Sequence, residues 1–271
     1  MKKVALINDL SGFGRCSLTV SIPIITAMGI QCCPLPTAIL SNHTGYKSYF
    51  FDDYTEHIEP YYQEWQKLGL KFDMIYTGFL GSVHQIELII KFLEAFSGSL
   101  VLVDPVMGDN GRIYSTYTPE MCEKMKLLVG HSDIVTPNVT EALMLTGTPY
   151  RSDITIAELK EVAVKISQMK PEKVVITGIS DAANKKISNL IYDAPKNEFS
   201  IVTKHKSEIE YSGTGDVFAS VLCGCMVNRI DFKESVEIAA AFVEKCALSS
   251  AAYKTAPSDG ILFEKFIGDL I

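Results

Sequence analysis

Ser212-Gly213-Thr214-Gly215-Asp216-Val217-Phe218-Ala219 leads small residues straight into a long apolar run, and residues 215–227 read as a helix. The first-turn N–H groups of an α-helix have no intrahelical partners, and the helix dipole favours negative charge there. Glycines let such a backbone close on an anion, so this stretch reads as a phosphate cradle with Asp216 at its rim. Taken alone, Asp216 reads first as a helix-capping carboxylate. The rest of the chain has to decide between the two.

Working outward, strand and helix signals alternate. Short runs rich in β-branched residues at 4–7, 32–36, 74–76, 100–104, 134–135 and 173–177 predict strands. Helical spacing predicts helices at 56–68, 84–96, 119–128, 138–145, 156–169 and 233–252. This alternation implies a mainly parallel sheet with helices packed on it. Residues 188–192 and 199–204 read as two more strands joined by a turn at Asp193-Ala194-Pro195-Lys196-Asn197. No linker, repeat or low-complexity tract breaks the pattern, so residues 1–271 are read as a single α/β domain.

Composition narrows the function. A chain of 271 residues that is 47% hydrophobic can bury a substantial core. Its 32 acidic and 25 basic residues give a formal charge of −7, which disfavours a protein that neutralises nucleic-acid phosphates. Lys165, Lys170, Lys173, Lys185, Lys186, Lys204 and Lys206 are read as solvated surface. Residues 16–46 contain no Asp, Glu, Lys or Arg, but Pro23, Pro34 and Pro36 interrupt them. They read as a buried helix and strand, not a membrane span. Seven cysteines without a C-x-x-C pair suggest reduced thiols in a cytoplasmic protein, and Cys223-Gly224-Cys225 lies in an apolar helix with no His nearby.

Polar residues gather where strands end, the place at which open α/β sheets bind ligands. Asp9-Leu10-Ser11-Gly12-Phe13-Gly14 is a Gly-rich turn after the first strand, but it lacks the third glycine of a dinucleotide fingerprint. The chain has no G-x-x-x-x-G-K-[ST] sequence either. Asp104, Asp109, Asn138 and Glu141 follow the fourth and fifth strands and offer the hard oxygens that suit Mg²⁺ or its waters. Asn138 and Glu141 also have the spacing of a capping box. Ser41-Asn42-His43-Thr44-Gly45-Tyr46 and Tyr76-Thr77-Gly78-Phe79-Leu80-Gly81 supply aromatic faces and hydrogen-bonding groups for a planar heterocycle. The glycine-flanked stretch 108–114 is a candidate closing loop.

Gly213-Thr214-Gly215-Asp216 resembles the G-x-G-D signature of the ribokinase superfamily, and its place near the C-terminus matches. Within that superfamily, residues 41–46, 77–82, 104–108 and 136–138 resemble pyridoxal/pyridoxamine kinases in order and spacing. The resemblance covers nearly the whole chain. It implies a ribokinase-like three-layer sandwich with no separate lid domain and commonly a homodimer. It also implies Mg²⁺ with ATP as phosphate donor, and it admits a monovalent cation such as K⁺. The implied reaction is phosphorylation of the hydroxymethyl group of a vitamin-B6 pyridine in B6 salvage. Asp216 would be the base, and the amides of Gly213, Thr214, Gly215 and Asp216 would steady the transferring phosphoryl group. Asp104, Thr136, Asn138, Thr177 and Thr214 would serve ATP, with Asp104 and Glu141 on the metal. Asp9, His43, Thr44, Phe79 and Tyr114 would line the substrate pocket. Asp9 stands where pyridoxal kinases carry Ser, and its segment looks closer to hydroxymethylpyrimidine (phosphate) kinases of thiamin synthesis. That substrate is the alternative, and a catalytically inactive ligand sensor is the alternative of another class.

Overall fold

The computed structural model describes residues 1–181 and 183–271. In chain order its elements begin with β1 (Lys3–Ser11), α1 (Ser17–Ala27), β2 (Gln31–Leu40), β3 (Phe51–Asp53) and α2 (Thr55–Lys67). Then come β4 (Met74–Thr77), α3 (Val83–Ala95), β5 (Leu100–Val103), β6 (Gly108–Asp109), β7 (Arg112–Ile113) and α4 (Pro119–Val129). The chain continues through β8 (Ile134–Val135), α5 (Val139–Leu145), α6 (Ile156–Ser167), β9 (Lys173–Asp181), β10 (Lys186–Asp193) and β11 (Glu198–His205). Then come α7 (Thr214–Val227) and α8 (Phe232–Ala252), followed by two 3-10 segments, Pro257–Asp259 and Glu264–Leu270.

A nine-stranded sheet runs in the order β11-β10-β9-β8-β5-β4-β1-β2-β3. Its six middle strands, β9 to β2 in that order, are parallel, and antiparallel strands finish both edges. The sheet is buried on both faces because successive residues point to opposite sides. Ala5, Ile7, Ile75, Val101 and Val103 pack towards α2 to α6. Val4, Leu6, Met74, Tyr76 and Leu102 pack towards α1, α7 and α8. This is the three-layer sandwich the sequence implies, and Cys223 and Cys225 are fully buried in its second core layer.

The first strand runs beyond its predicted end at residue 7 to Ser11, so Asp9 lies in β1 and not in the turn that follows it. The second also outruns its prediction, in spite of Pro34 and Pro36. These two prolines share one side of the strand, and the Tyr61 hydroxyl donates to the Pro34 carbonyl at 3.1 Å, so that side faces α2 and not β1. A missing N–H there costs no ladder bond. Stretch 108–114 is a β6–β7 hairpin with Asn110 at φ 50 and Gly111 at φ 75, the two left-handed residues of a type I′ turn. Among the described residues no helix is long and apolar enough to cross a membrane.

Candidate active site

β1 has β2 on one side and β4 on the other, so the strand order reverses at β1. Side chains from the carboxyl ends of the central strands and from the start of α7 line a cleft of about 550 Å³ there. The β1–β4 ladder ends at Ile7 and Thr77, where the two main chains part. A register shift between Asn8 and Leu10 bends β1 against β2 at the same place. Such irregularities re-aim side chains at sites.

Gly213, the N-cap of α7, has no side chain with which to cap the helix and adopts φ 77. A Cβ at this position would lie 1.9 Å from the Arg15 carbonyl oxygen, so only glycine fits. The first N–H of the helix to find a backbone acceptor in it is that of Val217, which reaches Gly213 O at 3.0 Å. The amides of Thr214, Gly215 and Asp216 therefore stay available at the positive end of a 14-residue helix. At Gly215 a Cβ would meet only Asp104 Oδ2, at 4.0 Å, which leaves room for an anion between the helix end and β5.

Asp216 sits in this first turn and lines the cleft. Burial pushes its pKa up to about 7, against the Ser17 backbone N–H and the Asn8 amide, which pull it down. Ser17 itself takes the left-handed φ of 52. Its hydroxyl donates to Asp9 Oδ1 at 2.5 Å, and Ser11 Oγ donates to Asp9 Oδ2 at 2.7 Å. Both Ser17 and Asn8 line the cleft. Neither was legible as a site residue in the sequence, since each is uncharged and belongs to no recognised signature.

Across the cleft, Asp104 and Glu141 are buried. Thr136 Oγ1 donates to Asp104 Oδ1 at 3.0 Å. Glu141 receives the Met107 N–H at 3.1 Å and the Asn138 N–H at 2.8 Å, while Asn138 Oδ1 accepts from Glu141 N–H at 3.0 Å. Glu141 therefore completes the expected capping box and also lines the cleft. Burial raises the pKa of both carboxyls; Asp216 adds to the rise at Asp104, and Asp104 to that at Glu141. Among the described residues no group of three or more His, Cys, Asp and Glu stands ready to hold a metal. The two acids thus suit an ion that brings further ligands with it, as Mg²⁺ does with phosphate oxygens and waters.

This strain predicts a pH effect. Between about pH 4 and pH 7 the folded chain keeps protons on carboxyls such as Asp216 that the unfolded chain has released, so stability falls as pH rises through that window. Asp104→Asn is expected to raise the melting temperature of the ligand-free protein at pH 8 by a few degrees. Differential scanning calorimetry at pH 6 and pH 8 checks it, and an unchanged or lower melting temperature at pH 8 contradicts it.

The far end of the cleft adds apolar side chains to charged ones. Thr177 and Gly178 of β9 and Asn189 of β10 face Ile209, Phe218 of α7, and Val243 and Ala247 of α8. Apolar walls with a few polar edges suit a purine. Val243 and Ala247 could not be found from the sequence, because apolar residues on a helix read as core. Lys204 and Lys206, read as solvated surface, line this end too, and Lys206 Nζ donates to Ser180 Oγ at 3.1 Å.

Most of the sequence-selected residues meet in this one cleft: Phe79, Tyr114, Asp104, Thr136, Asn138, Glu141, Thr177 and 213–216. Asp9, His43 and Thr44 are not among its lining residues, and Asp9 touches the cleft through Ser17. His43 Nε2 lies 2.7 Å from the Ser258 carbonyl, and Tyr46 donates to Asp259 Oδ1 at 2.8 Å, so loop 41–50 is tied to the turn that follows α8. The hairpin carrying Asp109 and leading to Tyr114 is held from below by Asn138 Nδ2, which donates to Gly108 O at 2.8 Å.

A family model described as phosphomethylpyrimidine kinase matches residues 21–258. The chain belongs to this family. A protein of Bacteroides thetaiotaomicron, provisionally described as a phosphomethylpyrimidine kinase and crystallised with pyridoxal, is 40% identical with a TM-score of 0.96. That match covers 99% of this chain and 95% of the other. The pyridoxal kinase of Dictyostelium discoideum is 29% identical over 74% of this chain and 70% of that enzyme. A hydroxymethylpyrimidine/phosphomethylpyrimidine kinase of Bacillus subtilis is 28% identical over 65% of this chain and 64% of that enzyme. Membership in the family makes this chain a small-molecule kinase with relatives on both the pyridine and the pyrimidine side.

Proposed function

We propose that this kinase transfers the γ-phosphate of ATP to the hydroxymethyl group of pyridoxal, pyridoxamine or pyridoxine, with Asp216 as the base. The observation that carries the reading is the position of Asp216. It stands in the first turn of α7 among unclaimed amides, at the floor of the cleft, with its pKa lifted to about 7. A base with that pKa is part-ionised at neutral pH and can take the proton of an alcohol as its oxygen attacks phosphorus. The amides of Thr214, Gly215 and Asp216 face the charge that spreads over the transferring phosphoryl oxygens, and Gly213 keeps the approach open. Asp104 and Glu141 hold Mg²⁺, which supplies neutralisation of the phosphate charge, while Thr136, Asn138, Thr177 and Thr214 orient the triphosphate. Phe79 and Tyr114 offer faces to the acceptor ring, with Asp9, His43 and Thr44 behind them on the β1–β2 side.

The pyridoxal-containing relative supports the pyridine substrate. The pyrimidine reading has an observation of its own, the carboxyl of Asp9 bonded to two hydroxyls next to the cleft. An inactive sensor would have no use for Asp216 at this position. The deciding assay is ADP release with Mg-ATP and, side by side, pyridoxal, pyridoxamine, pyridoxine and hydroxymethylpyrimidine, with K⁺ present or replaced by tetramethylammonium. Faster turnover of the pyridines is expected. Preference for the pyrimidine would move the enzyme to thiamin synthesis, and no turnover with any alcohol would favour the sensor. A cytoplasmic homodimer is the setting we propose, and light scattering of the purified protein tests the assembly.

A further inference from the structure

Asn8 is the last β1 residue before the register shift, and it is 3% exposed. Its Oδ1 accepts two backbone N–H groups, from Phe79 at 2.8 Å and from Asp9 at 3.0 Å. Both bonds require the oxygen at that position, so the orientation of the amide is fixed by chemistry: Nδ2 must point the other way. There it faces Asp216 Oδ1, 3.4 Å away. The surroundings are built for this side chain. A Cβ on Gly78 would lie 2.3 Å from Asn8 Nδ2 and 2.6 Å from its Cγ, so the backbone of the loop after β4 makes way for the amide.

We propose that Asn8 is a positioning residue for phosphoryl transfer, an amide locked by two backbone donors so that its N–H aims the Asp216 carboxylate at the acceptor hydroxyl. The proposal rests on the reading of Asp216 as base. One end of the side chain joins β1 to the loop after β4 where the ladder has ended, and the other end orients the carboxylate. The same atoms thus couple the opening of the cleft to the geometry of the base. At 3.4 Å the donor stands at the long end of hydrogen-bond range, near enough to steer the carboxylate.

Asn8→Asp separates the two jobs. A carboxylate of the same shape still accepts both backbone N–H groups, but it offers no N–H to Asp216 and sets a like charge against it. The expected result is a fall in kcat of roughly 30-fold or more with KM for ATP within about 2-fold of wild type, and a melting temperature that drops at pH 8, where the added buried carboxylate is charged, and stays close to wild type at pH 5. The like charge by itself only moves the pH profile of kcat upward and leaves its high-pH plateau intact, so recovery of the wild-type plateau by Asn8→Asp would make Asn8 merely structural and overturns the proposal. Asn8→Ser, too short to reach Asp216, is the second variant and is expected to lose kcat in the same way. Loss of fold in both variants would mean that Asn8 only holds the strands together, and would also overturn it. Asp216→Asn is run in parallel. Wild-type turnover by Asp216→Asn would remove the base reading itself, whereas a dead Asp216→Asn beside a fully active Asn8→Asp would remove only the role of Asn8.

Discussion

Asp216→Asn is expected to lower kcat by roughly 10²–10⁴-fold while leaving the affinity for ATP close to that of the unaltered chain. The substitution keeps the size of the side chain and its place in the first turn of α7, so the amides of the cradle stay where they are. What disappears is the proton acceptor. The carboxylate has a pKa lifted to about 7 by burial, and an amide in its place takes no proton from an alcohol. Steady-state kinetics combined with nucleotide titration checks this. A variant that turns over at the normal rate would take Asp216 out of the mechanism, and one that fails to bind ATP would make it a structural helix cap.

The second large effect is expected at Gly213. Alanine there would place its Cβ 1.9 Å from the Arg15 carbonyl oxygen, a backbone atom that cannot swing aside, and would have to hold φ 77 as well. Overpacking and a left-handed backbone each cost about 1–3 kcal/mol. Gly213→Ala is therefore expected to lower stability by about 2–4 kcal/mol, which for a domain of this size is a drop of roughly 5–15 °C in melting temperature. The displaced helix end would also carry the cradle amides off their target, so turnover should fall at least about 100-fold in whatever protein remains folded. Calorimetry and activity together check both parts. An unchanged melting temperature would mean that the Arg15–Gly213 approach is not tight in solution, and the account of the cradle would lose its anchor.

Much of this site could be read from the sequence, for a physical reason. The carboxyl ends of the strands in a parallel sheet converge on one edge, so polar clusters that follow β-branched runs belong to a common cleft. Asp104, Asn138 and Glu141 are legible in that way and Asp216 from the glycine-bearing start of an apolar helix, and the four meet. The six parallel strands were legible because strands buried on both faces are continuous apolar runs. β3 was not, because its residues Phe51–Asp53 are exposed and short. The β6–β7 hairpin did carry a signal, the Asn110-Gly111 pair, which demands a type I′ turn.

Asn8 and Ser17 stayed hidden because their roles are geometric. Asn8 acts through an amide whose orientation is set by two distant N–H groups, and Ser17 through a left-handed backbone that no local pattern announces. The apolar end of the cleft was hidden for a different reason. Val243 and Ala247 lie on a helix that also sends Val236, Ala239, Phe242 and Cys246 into the core, and sequence spacing does not tell a cleft wall from a core face. The resemblance implies Asp9, His43 and Thr44 as well; none of them is among the residues that line the cleft, and Asp9 reaches it through Ser17.

The most direct test of the central claim is to identify the product formed from pyridoxine and Mg-ATP by ³¹P NMR and mass spectrometry, with Asp216→Asn as control. A phosphomonoester on the hydroxymethyl oxygen is expected, formed in step with ADP and almost absent from the control. ADP formed without that ester, or an ester formed only on hydroxymethylpyrimidine, would contradict it.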